Sequence, residues 1–94
     1  MKYLHTWDGK FVNVNTILEF VYRQRAIGEG KCIYTDIRCI TSDSCLGYAL
    51  APTTLEDIDP EIYIIELIKT LKCVPDMSII RTYDGNELAI IAEG

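Results

Sequence analysis

Two short segments, one near each end of the chain, constrain its fold more than any other feature: Thr6-Trp7-Asp8-Gly9 and Thr82-Tyr83-Asp84-Gly85. Asp-Gly supplies the positive φ angles that a tight primed turn demands. The first copy separates the strand-like stretches 3–7 and 10–14, the second 77–82 and 86–92. The spacing predicts a β-hairpin at each end of the chain. The repeated Thr-aromatic-Asp-Gly also admits a duplicated ligand-touching tip, but turn chemistry is a sufficient reason for it.

Between the hairpins, Thr16-Ile17-Leu18-Glu19 has the form of a capping box. It predicts a helix over 17–27, with Ile17, Phe20 and Val21 on one stripe and Gly28 and Gly30 beyond its end. Residues 31–41 alternate with period two and read as a strand, followed by the polar turn Thr41-Ser42-Asp43-Ser44. Residues 45–51 return as its partner. Their small face, Gly47, Ala49 and Ala51, invites close packing, most simply by a helix. A linker over 52–59, with room for one helical turn, leads to Asp59-Pro60-Glu61. There Asp serves as N-cap, Pro as first helical residue and Glu as first-turn acid of a second helix. Its main stripe is Ile64, Leu67, Ile68 and Leu71, widened by Ile62, Tyr63 and Ile65, and Pro75 ends it. The predicted fold is α+β, in the order ββ-α-ββ-α-ββ: an antiparallel sheet with two helices packed on one face. The 94 residues fit one compact domain, 1–94, because a second core would leave each half too little surface to bury.

Charge is uneven. Lys and Arg outnumber Asp and Glu through Arg38, and carboxylates dominate from Cys39 on, for a net −5. A net negative chain is repelled by nucleic-acid phosphate, which argues against a nucleic-acid partner. No apolar run spans a bilayer and the start has no apolar leader, so the expectation is a soluble, cytoplasmic protein without a membrane partner. The four cysteines, Cys32, Cys39, Cys45 and Cys73, then read as reduced and mostly buried, although Cys39 and Cys45 fall where they could face each other across a hairpin.

Catalytic and cofactor chemistry finds little support. There is one histidine, His5, no Cys-x-x-Cys, and no Walker or dinucleotide pattern, so neither a metal nor a cofactor is expected. Gly28-Glu29-Gly30-Lys31 follows a predicted helix, whereas a phosphate cradle precedes one. A Cys/His5 activity is a third reading without a local signature.

Two binding readings remain. The leading one is a non-catalytic protein-binding module, similar in character to the small acidic proteins with which phages and mobile elements inhibit host defence machinery. Its contact would use the acidic stretch Glu56, Asp57, Asp59 and Glu61, whose field steers a basic partner, and the surplus apolar side chains Ile62 and Ile65. The apolar girth of the second helix also predicts a homodimer. The alternative is an oligomer that binds or sequesters a small anionic, nucleotide-like ligand at Tyr22, Arg23, Arg25, Lys31, Tyr34 and Arg38, by charge and stacking. For each set there is a plainer reading: a solvated linker for the carboxylates, and helix-end charges for the arginines.

Overall fold

The computed structural model describes residues 1–29, 32–53 and 58–93. The elements run β1 (Tyr3–His5), β2 (Phe11–Asn13), a 3-10 turn (Val14–Thr16), β3 (Ile17–Ile27), β4 (Cys32–Thr41), β5 (Ser44–Ala49), α1 (Pro60–Cys73), β6 (Ile79–Asp84) and β7 (Glu87–Glu93). They form two sheets, β2-β1-β6-β7 and β3-β4-β5. The expected order with two helices and one antiparallel sheet is therefore corrected. Among the described residues there is one α-helix, and β1 pairs with β6 in parallel.

The terminal hairpins form at the two Asp-Gly sites, but only the glycines take positive φ there, so neither turn is the primed turn with Asp and Gly both left-handed that the sequence suggested. Asp84 pairs with Glu87 across Gly85, whose φ is +60°, and His5 pairs with Phe11 across the first turn. The parallel register that sets Tyr3 beside Ile79 and His5 beside Arg81 also aligns Thr6 with Thr82 in sequence, so the two Thr-aromatic-Asp-Gly copies lie at corresponding heights. Both threonines are fully buried. Thr6 Oγ1 donates to Asp8, and Thr82 Oγ1 donates to the Leu50 carbonyl, which ties the two sheets together.

Residues 17–27 are strand where a helix was predicted. Ile17 and Phe20 both pack against the core, three residues apart, which is the spacing of a helical stripe. The chain achieves that spacing with a β-bulge between Ile17 and Glu19, which leaves Leu18 69 % exposed. Thr16 does not act as a helix cap. Its hydroxyl donates back to the Asn13 carbonyl (2.7 Å) and closes the 3-10 turn. A long strand partner lies next in sequence, and pairing with it, Phe20 to Cys39 and Tyr22 to Ile37, outweighs weak local helix preference.

The first hairpin turn reaches the backbone of β5 at Ala49, next to the small side chains over which the sequence suggested a helix. Trp7 N donates to the Ala49 carbonyl (3.1 Å), and Asp8 Oδ2 accepts from Ala49 N (3.4 Å). Gly47 sits at φ +75°, and a Cβ there would lie 2.6 Å from Ile40 Cδ1 and 2.7 Å from the Cys39 carbonyl oxygen. Glycine is required at this point by both conformation and space.

The core gathers Leu4, Val12 and Ile80 from the four-stranded sheet, Ile37 and Cys39 from β4, Leu50 from just past β5, and Leu67 and Leu71 from α1. Tyr63 fastens α1 to the last hairpin, with its hydroxyl 2.6 Å from the Ala89 carbonyl and 3.2 Å from that of Thr82. The molecule measures 46 × 25 × 21 Å, and residues 23–26 of β3 are exposed in succession.

Candidate functional site

Two surfaces carry the residues singled out by the sequence. The first is the outer face of β3-β4-β5. Alternation along β3 sends Phe20, Tyr22 and Gln24 toward the side of Cys39, Ile37 and Thr35, and sends Val21, Arg23 and Arg25 to the other side. There Arg23 stands opposite Asp36, Arg25 opposite Tyr34, and Val21 opposite Arg38. Arg38 Nε bonds Asp36 Oδ2 (3.1 Å). Among the described residues, Arg23 and Arg25 have no ion-pair partner within 4.0 Å, and both are exposed. A concavity of about 630 Å³ lies over this face, basic at Arg23 and Arg38 and apolar at Ile40 and Leu46.

The structure thus brings Arg23, Arg25, Tyr34 and Arg38 onto one face. The cause is strand register, and the helix end assumed from the sequence plays no part. Tyr22 borders the concavity but turns its hydroxyl to Glu61 Oε1 (2.7 Å) on α1. That hydrogen bond, together with the charge of Glu61, raises the Tyr22 pKa. Lys31 lies outside the described residues.

The second surface is the outer side of α1. Asp59 caps the helix, accepting from the backbone N of Glu61 (3.0 Å) and Ile62 (3.3 Å), and Pro60 follows as the sequence requires. Pro60, Leu67 and Leu71 are buried. Ile62, Ile65 and Ile68 are 60, 50 and 36 % exposed. Ile68, assigned by periodicity to the buried stripe, therefore belongs to the outer side with Ile62 and Ile65. Beside it lies a groove of about 420 Å³ between α1 and the start of β3, lined in part by Val14, Ile17, Phe20 and Leu71. Of the acidic stretch, Asp59 serves as the cap and Glu61 receives the Tyr22 hydroxyl, while Glu56 and Asp57 lie outside the described residues. Sequence reading passed over Lys72, which is exposed in the last turn of α1. The signal for it was its place eleven residues after Glu61, three full helical turns along the same side.

The reactive groups are placed as follows. His5 Nδ1 is 2.6 Å from Glu93 Oε1, and its ring stacks on Phe11 at 4.3 Å and meets the edge of Tyr83. Cys39 is buried, and burial pushes its thiol pKa up to about 11, so it is a poor nucleophile at neutral pH. Cys45 and Cys73 are exposed free thiols, which corrects the expectation of mostly buried cysteines: Cys45 lies in the surface strand β5, and Cys73 is the last residue of α1. The described residues contain no cluster of His, Cys, Asp and Glu able to hold a metal ion, and none of their helices is long and apolar enough to cross a membrane.

Compared with protein families, with curated proteins and with solved structures, the chain matches none.

Proposed function

We propose that this chain is a non-catalytic protein-binding module that acts by occupying a surface of a protein partner with the outer side of α1. The observation that carries this reading is the exposure of Ile62, Ile65 and Ile68 on a helix whose buried face is already complete with Pro60, Leu67 and Leu71. Full burial of an exposed isoleucine is worth about 1.5–3 kcal/mol; these three are partly covered already and keep about half of that each to gain, so a run of three on one side still favours a docked state. The test compares wild type with Ile65→Lys as bait for partner proteins, with circular dichroism confirming that the bait is folded. The lysine variant loses a specific partner that wild type retains. Equal retention by both baits excludes α1 as the contact.

A second reading is favoured by the gathering of Arg23, Arg25, Tyr34 and Arg38 on the outer face of β3-β4-β5: a small anionic ligand of nucleotide type held there by charge and stacking. A ligand that binds only the native state raises the melting temperature. A panel of nucleotides should therefore contain a stabilising member whose effect disappears in Arg23→Glu/Arg25→Glu. A flat response across the panel removes the nucleotide reading.

A further inference from the structure

We infer that the partner fitting the outer side of α1 is a second copy of this chain, docked with the two helices antiparallel so that Glu61 of each copy meets Lys72 of the other. The inference rests on the α1 reading above and names its occupant.

Glu61, Ile65, Ile68 and Lys72 follow one another at i, i+4, i+7 and i+11, the spacing of a helix–helix seam. At about 100° per residue all four fall within a narrow strip of the helix surface. The strip lies away from Leu67 and Leu71, which point into the core. Its middle is apolar, with Ile65 50 % and Ile68 36 % exposed. Its ends carry opposite charge.

Such a strip complements itself in one direction only. In a parallel pair, Glu61 would face Glu61 and Lys72 would face Lys72. In an antiparallel pair, the register that sets Ile65 against Ile68 of the second copy also sets Glu61 against its Lys72. A two-fold axis repeats each contact, giving two apolar and two charged contacts from four residues per chain. Within its own chain, Glu61 is already oriented by the Tyr22 hydroxyl at 2.7 Å, so one end of the seam is held in place before docking. The groove at Val14, Ile17 and Phe20 opens beside Ile68 and extends the apolar surface beyond the helix itself. Standard interfaces bury about 800 Å² per partner, more than one helix side supplies, so the groove belongs to the contact as well.

Light scattering with size exclusion, over a concentration series reaching the high micromolar range, reads the result. Wild type should approach twice the chain mass, and Ile65→Lys should stay at the single mass with an unchanged circular dichroism spectrum. Glu61→Lys and Lys72→Glu each turn two attractions into two repulsions and should weaken self-association about tenfold or more at low salt. The decisive sample is an equal mixture of these two single variants. Each chain then carries one sign at both ends of its seam, and the mixture should recover the double mass that neither variant reaches alone. The double variant Glu61→Lys/Lys72→Glu should also recover it, which parallel packing does not explain.

A wild type that stays at single mass overturns the second-copy inference. So does a dimer indifferent to Ile65→Lys, and so does a mixture that fails to recover. The wider α1 reading is judged separately by bait experiments on the same proteins. A monomeric wild type that still loses a heterologous partner on Ile65→Lys leaves α1 as the docking surface and removes only the second copy. A monomer whose captured proteins are unaffected by Ile65→Lys removes both.

Discussion

Removing one oxygen atom, by Tyr63→Phe, tests the contact that ties α1 to the C-terminal hairpin. The hydroxyl lies 2.6 Å from the Ala89 carbonyl and 3.2 Å from the Thr82 carbonyl. Its loss deletes a hydrogen bond worth about 1 kcal/mol net and leaves a partly buried acceptor short of a donor, a further cost of about 1 kcal/mol or more. The ring remains, so little cavity forms. The expected destabilisation at neutral pH is about 2 kcal/mol, read as a lower urea midpoint with an unchanged slope. A second arm uses pH. Burial raises the Tyr63 pKa well above its ordinary 10.0. The native state therefore keeps a proton that the unfolded chain releases from about pH 10 upward. The contribution is complete below that pH. Above it the native state binds more protons than the unfolded one, and stability falls by up to about 1.4 kcal/mol per pH unit. Phenylalanine has no such proton, so the alkaline decline becomes shallower in the variant. It does not vanish, because Cys39 and Tyr22 are shifted in the same direction, Cys39 from 9.0 to about 11. A variant with wild-type midpoint at pH 7 and wild-type alkaline slope refutes the buried, bonded hydroxyl.

Two more predictions concern glycine positions and thiol burial. Gly47→Ala should cost about 2–4 kcal/mol, from left-handed strain plus the contact with a backbone oxygen that cannot swing away, whereas Gly9→Ala, with open space around it, should cost only the strain of about 1–2 kcal/mol; denaturant midpoints compare them, and equal losses contradict the close approach of the Cys39 carbonyl to Gly47. Under native conditions a thiol reagent should label Cys45 and Cys73 at once and Cys39 only on unfolding, as peptide mapping will show; prompt labelling of Cys39 contradicts its burial.

The sequence-to-structure relation differed from element to element. Asp-Gly turns and the Asp59-Pro60 cap are local chemistry, and both hairpin tips and the start of α1 formed where that chemistry put them. Residues 17–27 misled because a bulge imitates helical spacing: with Leu18 turned outward, Ile17 and Phe20 reach the core as helix neighbours would. The parallel pairing of β1 with β6 had no local signature at all, since it joins segments through a register that only the assembled core selects. The basic group was legible as residues and illegible as geometry. Arg23 and Arg25 share a face because strands alternate, and Tyr34 and Arg38 join them across the ladder. The outer side of α1 was half legible: Ile62 and Ile65 stood out as surplus, but Ile68 looked buried because the helix was assumed to face one flat sheet. In the folded chain it lies over β3-β4-β5 and the last hairpin together, which rotates the covered sector toward Leu67 and Leu71.

The parallel seam between β1 and β6 also sets an order in time. Tyr3 is paired with Ile79 and Leu4 with Ile80, so most of the chain separates the two strands at the centre of one sheet. Chains leave the ribosome at about 5–20 residues per second, and β1 with β2 must wait on the order of seconds for its central neighbour. A lone two-stranded hairpin is at best marginal in water. The meander β3-β4-β5, by contrast, closes through short connections within contiguous sequence and is complete before α1 is made. The two sheets therefore mature on different clocks, and Leu4, fully buried at the end, is among the first apolar residues synthesised and among the last covered. A stop codon placed just before β6 would strand β1 without its partner, so damage at one end of the chain is expressed as unfolding at the other.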